Sequence, residues 1–134
     1  MPKTITVDVE QIGESASKGT ARTHTLTIDR PADKGGSDRG PLGGELLLLS
    51  LGGCFMSTLL AAIRTREAQV SDVKVSVSAT VGGVPERIEA LHMRVSAKHQ
   101  DADAMRKLIL MAERGCLVTN TLRNAAVITV ELVS

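Results

Sequence analysis

Two cysteines in different local settings are the residues of this chain best suited to chemistry. Cys54 lies in the segment LGGCFM, inside the longest apolar stretch and directly after Gly52 and Gly53. Cys116 follows Gly115 and opens a short segment of helical pattern, where free N–H groups and the helix dipole favour a negatively charged sulfur. The thiolate is the reactive form of cysteine, so both are candidates for redox or nucleophilic chemistry.

Each cysteine also has a purely structural explanation. A buried free cysteine commonly serves as a small apolar side chain, and on composition alone this is the commoner outcome for Cys54. A reactive Cys54 would need a nearby cation or helix end, because apolar surroundings raise the pKa of a thiol. The two preceding glycines would let another element approach closely beside the sulfur. Each glycine would make the helix less stable by about 1 kcal/mol, because glycine has a low helix propensity. Cys116 could equally fill a gap between two helices.

Other catalytic motifs are missing from the sequence. The two cysteines and three histidines show no Cys-x-x-Cys or His-x-x-x-His spacing, so we predict no metal and no cofactor. The glycine-rich segment GGSDRGPLGG lacks the Lys-Ser or Lys-Thr pair of a phosphate-binding loop. A Gly-x-Ser-x-Gly nucleophile elbow is also absent. The thiols are therefore the remaining candidates for catalysis.

Length, composition and charge indicate one globular domain that does not bind nucleic acid. With 134 residues, of which 43% are hydrophobic, the chain is the size of a single domain spanning residues 1–134. Its 16 basic and 15 acidic residues are scattered and give a net charge of +1, so the sequence contains no cluster of positive charge that would attract a polyanion. Phe55 is its only aromatic residue, whereas modules for single-stranded nucleic acid stack bases on aromatic rings.

The N-terminal sequence predicts a cytoplasmic protein. MPKTITVDVE alternates apolar and polar residues as a strand does and lacks the apolar core of a signal peptide. The uncharged stretch Leu46 to Ile63 is just long enough to raise the question of a membrane span, but its serines, Thr58 and paired glycines favour a soluble helix, and we expect no membrane. In the cytoplasm, two cysteines are expected to form a redox-active pair rather than a structural disulfide.

The first part of the chain predicts strands followed by a long loop. The N-terminal strand and Thr23 to Asp29 both alternate with period two and are expected to pair as a hairpin, with Gly13 to Gly19 as a loose turn. Arg30 to Gly44 has no periodicity, and a loop of this length is usually functional or disordered.

The remaining elements complete an α+β order. Glu45 to Glu67 is apolar on every face, which predicts a central helix enclosed by other elements. Val73 to Val81 and a strand with a bulge or start near Ala90 predict a second hairpin. Then come a helix capped by Asp101 and ended by a left-handed Gly115, a short helix at Cys116, and a strand from Val127 to Val133. The fold class is α+β, with mostly antiparallel sheets and a central buried helix.

Two local motifs resemble one protein family. GPLGGELLLLSLGGC, followed by an apolar helix, a hairpin and an amphipathic helix, and then RGCLVTNTL, resemble the OsmC/Ohr family of osmotically inducible and organic hydroperoxide resistance proteins. The likeness extends from about Gly36 to the C-terminus. Both cysteines lie in matching motifs and in the matching order, which makes the resemblance fairly specific.

The resemblance implies a fold, an activity and partners. It implies an intertwined homodimer with the active site at the subunit interface, and a thiol-dependent peroxidase that reduces organic hydroperoxides in the oxidative stress response. Cys54 would be the peroxidatic cysteine, which becomes a sulfenic acid, and Cys116 the resolving cysteine, which forms a disulfide with it. A dithiol reductant, such as a dihydrolipoyl group, would regenerate the pair.

The chain also departs from the family pattern around the first cysteine. Peroxidase members support the thiolate with an N-terminal arginine and a glutamate ten positions before this cysteine; here that position is Gly44, and Glu45 comes one residue later. The corresponding arginine region reads EQIGES, so Arg22, Arg30 or Arg39 would have to substitute, Arg39 being nearest in sequence to the helix start. Large aromatic pocket residues are missing. The alternative is therefore a small-molecule-binding or accessory protein of the same fold with little or no turnover.

Overall fold

The computed structural model describes residues 2–124 and 126–133, which form two antiparallel sheets and three α-helices. This arrangement confirms the predicted α+β class with antiparallel sheets. Contacts group the chain into two compact units, one ending at Leu47 and the other beginning at Leu48.

The first unit contains a sheet of three strands. These are β1 (Asp8–Gln11), β2 (Ser17–Ala21) and β3 (His24–Ile28), in the order β1-β2-β3 with antiparallel pairing throughout. The predicted hairpin between the first strand and Thr23 to Asp29 is wrong, because β2 lies between them. The sequence of β2, SKGTA, is small and polar, so it carries no period-two signal, and backbone pairing with both neighbours holds it in the sheet.

The long helix α1 (Gly43–Thr65) confirms the predicted apolar helix to within two residues at each end. Leu51, Phe55 and Leu59 recur every fourth residue and form its buried face. The other face is open in the single chain, and Leu49 is 63% exposed. Within the described chain the helix is therefore enclosed along one stripe of its surface, and the predicted enclosure on every face is wrong here, because no described element covers the opposite side.

The second sheet confirms the second predicted hairpin and its irregularity. β4 (Ser71–Gly82) pairs antiparallel with β5 (Arg87–Lys98). Thr80 pairs with Ala90 but Val81 pairs with Ile88, so the register shifts next to Ala90, as expected from the change of phase. One face of the sheet packs on the core through Val73, Val75, Val77, Leu91, Met93, Val95 and Ala97.

The helix α2 (Ala102–Gly115) begins as predicted and ends differently. The Asp101 carboxylate accepts hydrogen bonds from the Asp103 N–H at 3.0 Å and the Ala104 N–H at 3.2 Å, which confirms the N-cap. The predicted left-handed Gly115 is wrong: the helix ends because Cys116 is extended, with φ −80° and ψ 114°. Gly115 instead allows close packing, because a Cβ there would lie 3.1 Å from Thr58 Cγ2.

The helix α3 (Leu117–Arg123) confirms the short helix after Cys116. It is tied to α2 by an ion pair between Arg123 and Glu113 and by the Asn120 side chain, which donates to the Arg114 carbonyl at 3.2 Å. The predicted strand Val127 to Val133 is wrong in this chain, where residues 126–133 have no regular structure. A strand needs a hydrogen-bonded neighbour, and none of the described strands pairs with this segment.

Candidate dithiol site

Cys54 lies on α1, at the edge of the buried stripe. Phe55, the next residue, is buried, and so is Leu51, which lies about one helical turn before Cys54. Cys54 itself is partly exposed. Its side chain packs against the core cluster of the second unit. Thr58 Oγ1 donates to the Cys54 carbonyl at 3.0 Å, so the proton of this hydroxyl points at the backbone and not at the Cys54 sulfur. The sulfur is thus anchored on a rigid helix and open on one side.

The two glycines before Cys54 have different surroundings. A Cβ at Gly52 would lie 2.9 Å from Val77 Cγ2, so the absence of a side chain lets α1 approach β4 closely. A Cβ at Gly53 would have nothing described within 4 Å. The expected close approach next to the thiol is therefore present at Gly52, and Gly53 leaves open space.

Alanine substitutions at these two positions should have opposite effects on stability. Gly52→Ala should destabilise the fold by about 1–3 kcal/mol, because the methyl group would collide with Val77, whose branched side chain has little rotamer freedom. Gly53→Ala should be neutral or stabilise by up to about 1 kcal/mol, through helix propensity alone. Urea unfolding of the two variants measures the difference. Equal stabilities would contradict the close packing of α1 on β4.

Cys116 is completely buried at the junction of α2 and α3, with 0% of its surface exposed. Its extended backbone ends α2 and makes it the N-cap residue of α3. Its sulfur takes the place of the usual capping oxygen and accepts the Thr119 N–H at 3.5 Å. The local sequence thus directs a backbone donor at the sulfur.

The fold brings the two cysteines together although 62 positions separate them. Cys116 belongs to the core cluster of the second unit, Cys54 packs against that cluster, and both are free thiols. Burial raises the pKa of Cys116, but hydrogen bonds from Thr119, Cys54 and the Val118 N–H outweigh this effect and hold the pKa below its usual value. The arrangement can therefore supply one accessible and one shielded sulfur to the same reaction.

Thr119 is a site residue that the sequence analysis did not identify. It is buried, and its hydroxyl faces the Cys116 sulfur closely enough to lower the pKa of that thiol. The hydroxyl falls short of a full hydrogen bond, and Oγ1 has no partner among the described residues. Its position three residues after an N-cap, where a backbone N–H turns back to the capping side chain, is the sequence signal that could have identified it.

Glu45 has a structural role at the start of α1. Its Oε1 atom accepts the Leu42 N–H at 2.8 Å, in the first turn of the helix, where a negative charge also complements the helix dipole. The predicted role of Glu45 beside the Cys54 thiolate stays a prediction.

Arg39 belongs to a loop that is organised around one buried carboxylate. Asp29 is 3% exposed, and its carboxylate accepts the backbone N–H groups of Arg30 at 2.7 Å and of Ser37 and Arg39 at 3.2 Å. The Arg39 side chain is exposed and passes next to Gly13, where Nη1 would lie 3.1 Å from an added Cβ. The long loop is thus ordered by Asp29, and support of the Cys54 thiolate by Arg39 stays a prediction.

Replacing Asp29 should make the first unit less stable in a pH-dependent way. Hydrogen bonds from the Ser15 hydroxyl and from the backbone of Arg39, Arg30 and Ser37 outweigh burial and lower the pKa of Asp29. Since the folded pKa lies below the unfolded one, the carboxylate stabilises the fold fully above the ordinary Asp pKa of about 3.9 and loses this effect as pH falls through the lower value. Asp29→Asn should unfold at lower temperature than wild type at pH 7, with the gap narrowing in acid; a constant gap in thermal melts would contradict this.

Metal binding, a surface cleft and the apolar length of α1 also bear on the function of the second unit. The described residues contain no group of three or more His, Cys, Asp or Glu side chains that could hold a metal ion. An open polar cleft of about 340 Å³ lies between residues 68–71 and residues 98–100, and its lining includes neither cysteine. By length and composition α1 could cross a membrane, but core helices of soluble proteins pass the same test, and the buried stripe of α1 contributes to this core.

Comparison with known proteins identifies the family. A family model described as OsmC-like protein matches residues 35–131. No curated protein matches the chain. A putative osmotic stress induced and detoxification response protein from Psychrobacter arcticus is 18% identical, with 90% of this chain and 89% of that chain covered and a TM-score of 0.77.

Two further solved structures have the same fold. An OsmC-like protein from Mycoplasma pneumoniae is 17% identical over 92% of this chain and 89% of that chain, with a TM-score of 0.75. An organic hydroperoxide resistance protein from Elizabethkingia anophelis is 17% identical over 90% of this chain and 89% of that chain, with a TM-score of 0.68. Because the family model covers most of the sequence and these structures share the fold, the chain belongs to the OsmC-like protein family.

Proposed function

We propose that this protein is a cytoplasmic thiol-dependent peroxidase that reduces organic hydroperoxides through Cys54 and Cys116. The observation that carries the proposal is that the partly exposed thiol of Cys54 packs against the same apolar cluster that contains the fully buried thiol of Cys116. An apolar setting suits the organic part of such a substrate. The names of related structures support the substrate class, since two are called organic hydroperoxide resistance proteins.

The proposed reaction follows from the exposure of the two sulfurs. The Cys54 sulfur attacks the distal oxygen of the hydroperoxide, the O–O bond breaks, and the products are a sulfenic acid on Cys54 and an alcohol. The Cys116 sulfur then attacks the Cys54 sulfur, which forms the S–S bond and releases water. A dithiol such as a dihydrolipoyl group reduces the disulfide by exchange. Cys54 is placed first because it is the thiol that solvent reaches.

The test is to oxidise the protein with a stoichiometric amount of cumene hydroperoxide. We expect the intact protein to lose two hydrogen atoms, the peptides of Cys54 and Cys116 to be joined before reduction, and a dithiol to restore the starting mass. Catalytic consumption of the peroxide should then depend on the dithiol. A protein that keeps both thiols under these conditions is not a two-cysteine peroxidase.

The alternative, a binding or accessory protein of the same fold, is favoured by one observation. Glu45, which the resemblance would place near the thiolate, is engaged with the Leu42 N–H as a helix cap. In that case the dithiol pair would be retained with little turnover. Intact thiols after the oxidation experiment, together with binding of an apolar small molecule measured by calorimetry, would favour this function.

We also propose that the protein is a homodimer. Ile5, Val7 and Val9 expose an alternating apolar row in the first unit, and residues 126–133 form an unpaired segment whose alternation is that of a strand. A second copy of the chain is the partner that the family resemblance implies. Pairing with that copy would cover the apolar row and would give residues 126–133 the strand neighbour that they lack among the described strands of one chain.

Charge substitutions on the C-terminal segment should separate the two copies. Val130 is 93% exposed, so Val130→Lys should leave the isolated chain folded and weaken a dimer in which this side chain is buried. Thr129→Lys, on the opposite face of a strand, is the matched control and should have a smaller effect. Sedimentation velocity should give a dimer for wild type and a shift towards monomer for Val130→Lys. A monomeric wild-type protein would contradict the proposal.

A further inference from the structure

The outer face of the hairpin formed by β4 and β5 carries positive charge and no negative charge along most of its length. Exposure alternates along both strands, and the inward residues pack on the core. The outward residues of residues 74–80 and 90–98 are all exposed: Lys74, Ser76, Ser78, Thr80, Ala90, His92, Arg94, Ser96 and Lys98. Residues 73–85 and 90–100 contain no Asp or Glu. This face therefore offers cations and hydroxyl groups to an approaching molecule.

The strand register gathers cations that are separate in the sequence. Lys74 on β4 lies opposite Ser96 on β5. Two residues from Ser96, on either side, β5 carries Arg94 and Lys98. Diagonal neighbours on an antiparallel pair are about 7–8 Å apart, within reach of long side chains. Lys74 thus lies between two other cations, an arrangement that strand pairing creates and that the scattered charges of the sequence do not reveal.

The two cations at the centre of this face are not neutralised by the chain itself. Lys98 pairs with Asp72 at 3.2 Å, at the end of the hairpin. Lys74 and Arg94 take part in no ion pair with any residue that the structure describes. A sheet face stays soluble with interspersed charges of both signs. A concentration of one sign is instead typical of a surface that meets the opposite charge on a partner.

The shape and composition of this face indicate the kind of partner. Small molecules bind in concave sites, whereas this is the open face of a two-stranded sheet. Single-stranded nucleic acid stacks on aromatic rings, and the one aromatic residue, Phe55, is 2% exposed. Strong duplex binders contact about 6–10 phosphates, more than the three cations here could neutralise. The acidic surface of another protein fits best, because it can match a flat face with few charges.

We propose that the outer face of the β4–β5 hairpin is a docking surface for a partner protein that presents clustered Asp and Glu side chains. Lys74 and Arg94 form its centre, and the hydroxyls of Ser76 and Ser96 are further donors to carboxylate oxygens. These contacts are exposed to solvent, so binding is weak and falls as salt rises. The proposal is independent of the peroxidase function, in which these residues have no role.

The experiment uses fluorescently labelled poly-L-glutamate as the acidic probe and follows binding by fluorescence anisotropy at low and at physiological ionic strength. Wild type should bind at low salt and lose affinity as salt rises. The double variant Lys74→Glu with Arg94→Glu should bind about tenfold more weakly or worse. The double variant Lys74→Thr with Arg94→Thr removes the charges but keeps residues suited to strands, and it should show a smaller loss. Circular dichroism establishes that both variants are folded.

The matched control is Lys34→Glu with Lys107→Glu, which changes net charge equally at exposed positions outside the hairpin. It should bind the probe as wild type does; an equal loss would mean that net charge alone attracts the probe, and would overturn the proposal. Absence of wild-type binding at low salt, or tighter binding of a DNA duplex than of poly-L-glutamate, would also overturn it. Peroxide reduction should keep the wild-type rate in Lys74→Glu with Arg94→Glu, so failure of the peroxidase function is detected separately.

Discussion

Cys54→Ser should abolish dithiol-dependent consumption of an organic hydroperoxide, with a loss of at least about 1,000-fold. The serine hydroxyl is neither ionised near neutral pH nor oxidised by a hydroperoxide, and the remaining thiol, Cys116, is fully buried. The fold should be retained, because oxygen replaces sulfur at a partly exposed position on α1. Initial rates of cumene hydroperoxide loss, with dihydrolipoamide as reductant, measure the effect.

A control variant separates loss of the nucleophile from general damage. Ser76→Ala changes an exposed residue of β4 and should keep the wild-type rate. If Cys54→Ser and wild type consume peroxide equally, the reaction does not use this thiol, and the binding or accessory function becomes the better description. The comparison requires a wild-type rate above that of the dithiol alone.

Phe55→Ala should destabilise the protein by about 3–5 kcal/mol, the largest effect on stability that we expect from one substitution. Phe55 is the only aromatic residue of the chain, is 2% exposed, and lies between Leu51 and Leu59 on the buried stripe of α1. Truncation would leave a cavity in the middle of the core. A domain of this size typically has only about 5–15 kcal/mol of stability in total, so a large part of it would be lost.

Urea unfolding followed by circular dichroism measures this change in the free energy of unfolding. Phe55→Leu is the matched control, because it keeps most of the apolar volume and should lose less than about 2 kcal/mol. Similar losses for alanine and leucine would mean that the ring does not fill the core. The wild-type transition should be measured at several protein concentrations, since association of two copies also adds to apparent stability.

The elements that could be predicted were those whose side chains alternate between two environments. β4, β5 and α2 each bury one face, and the change of phase before Leu91 even located the irregularity opposite Thr80 and Val81. β2 was not predictable in this way, because small polar residues are held there by backbone pairing on both sides. The segment Val127 to Val133 has the alternation of a strand without a strand beside it in the described chain, so local pattern alone could not decide its structure.

The two cysteines of the candidate site could be identified from the sequence, but the contacts that surround them could not. Sequence motifs identified Cys54 and Cys116, but their juxtaposition depends on the packing of α1 against α2 and α3, which no spacing in the sequence reveals. Thr119 and Asp29 were missed because both act through backbone hydrogen bonds. The Thr119 N–H donates to the capping sulfur of Cys116, and the Asp29 carboxylate accepts N–H groups from residues up to ten positions away. Hydrogen bonds of this kind depend on how the chain turns.

The complete burial of Cys116 has a consequence for the durability of the protein under oxidant stress. A sulfenic acid that lingers can be oxidised again, to sulfinic and sulfonic acids that dithiols do not repair. Bulk oxidant has no direct route to the buried Cys116 sulfur, and under the proposed mechanism a newly oxidised Cys54 would have this reducing thiol in the core cluster against which it packs. Capture by that neighbour competes with a second collision from solvent, which should favour the repairable disulfide over irreversible damage.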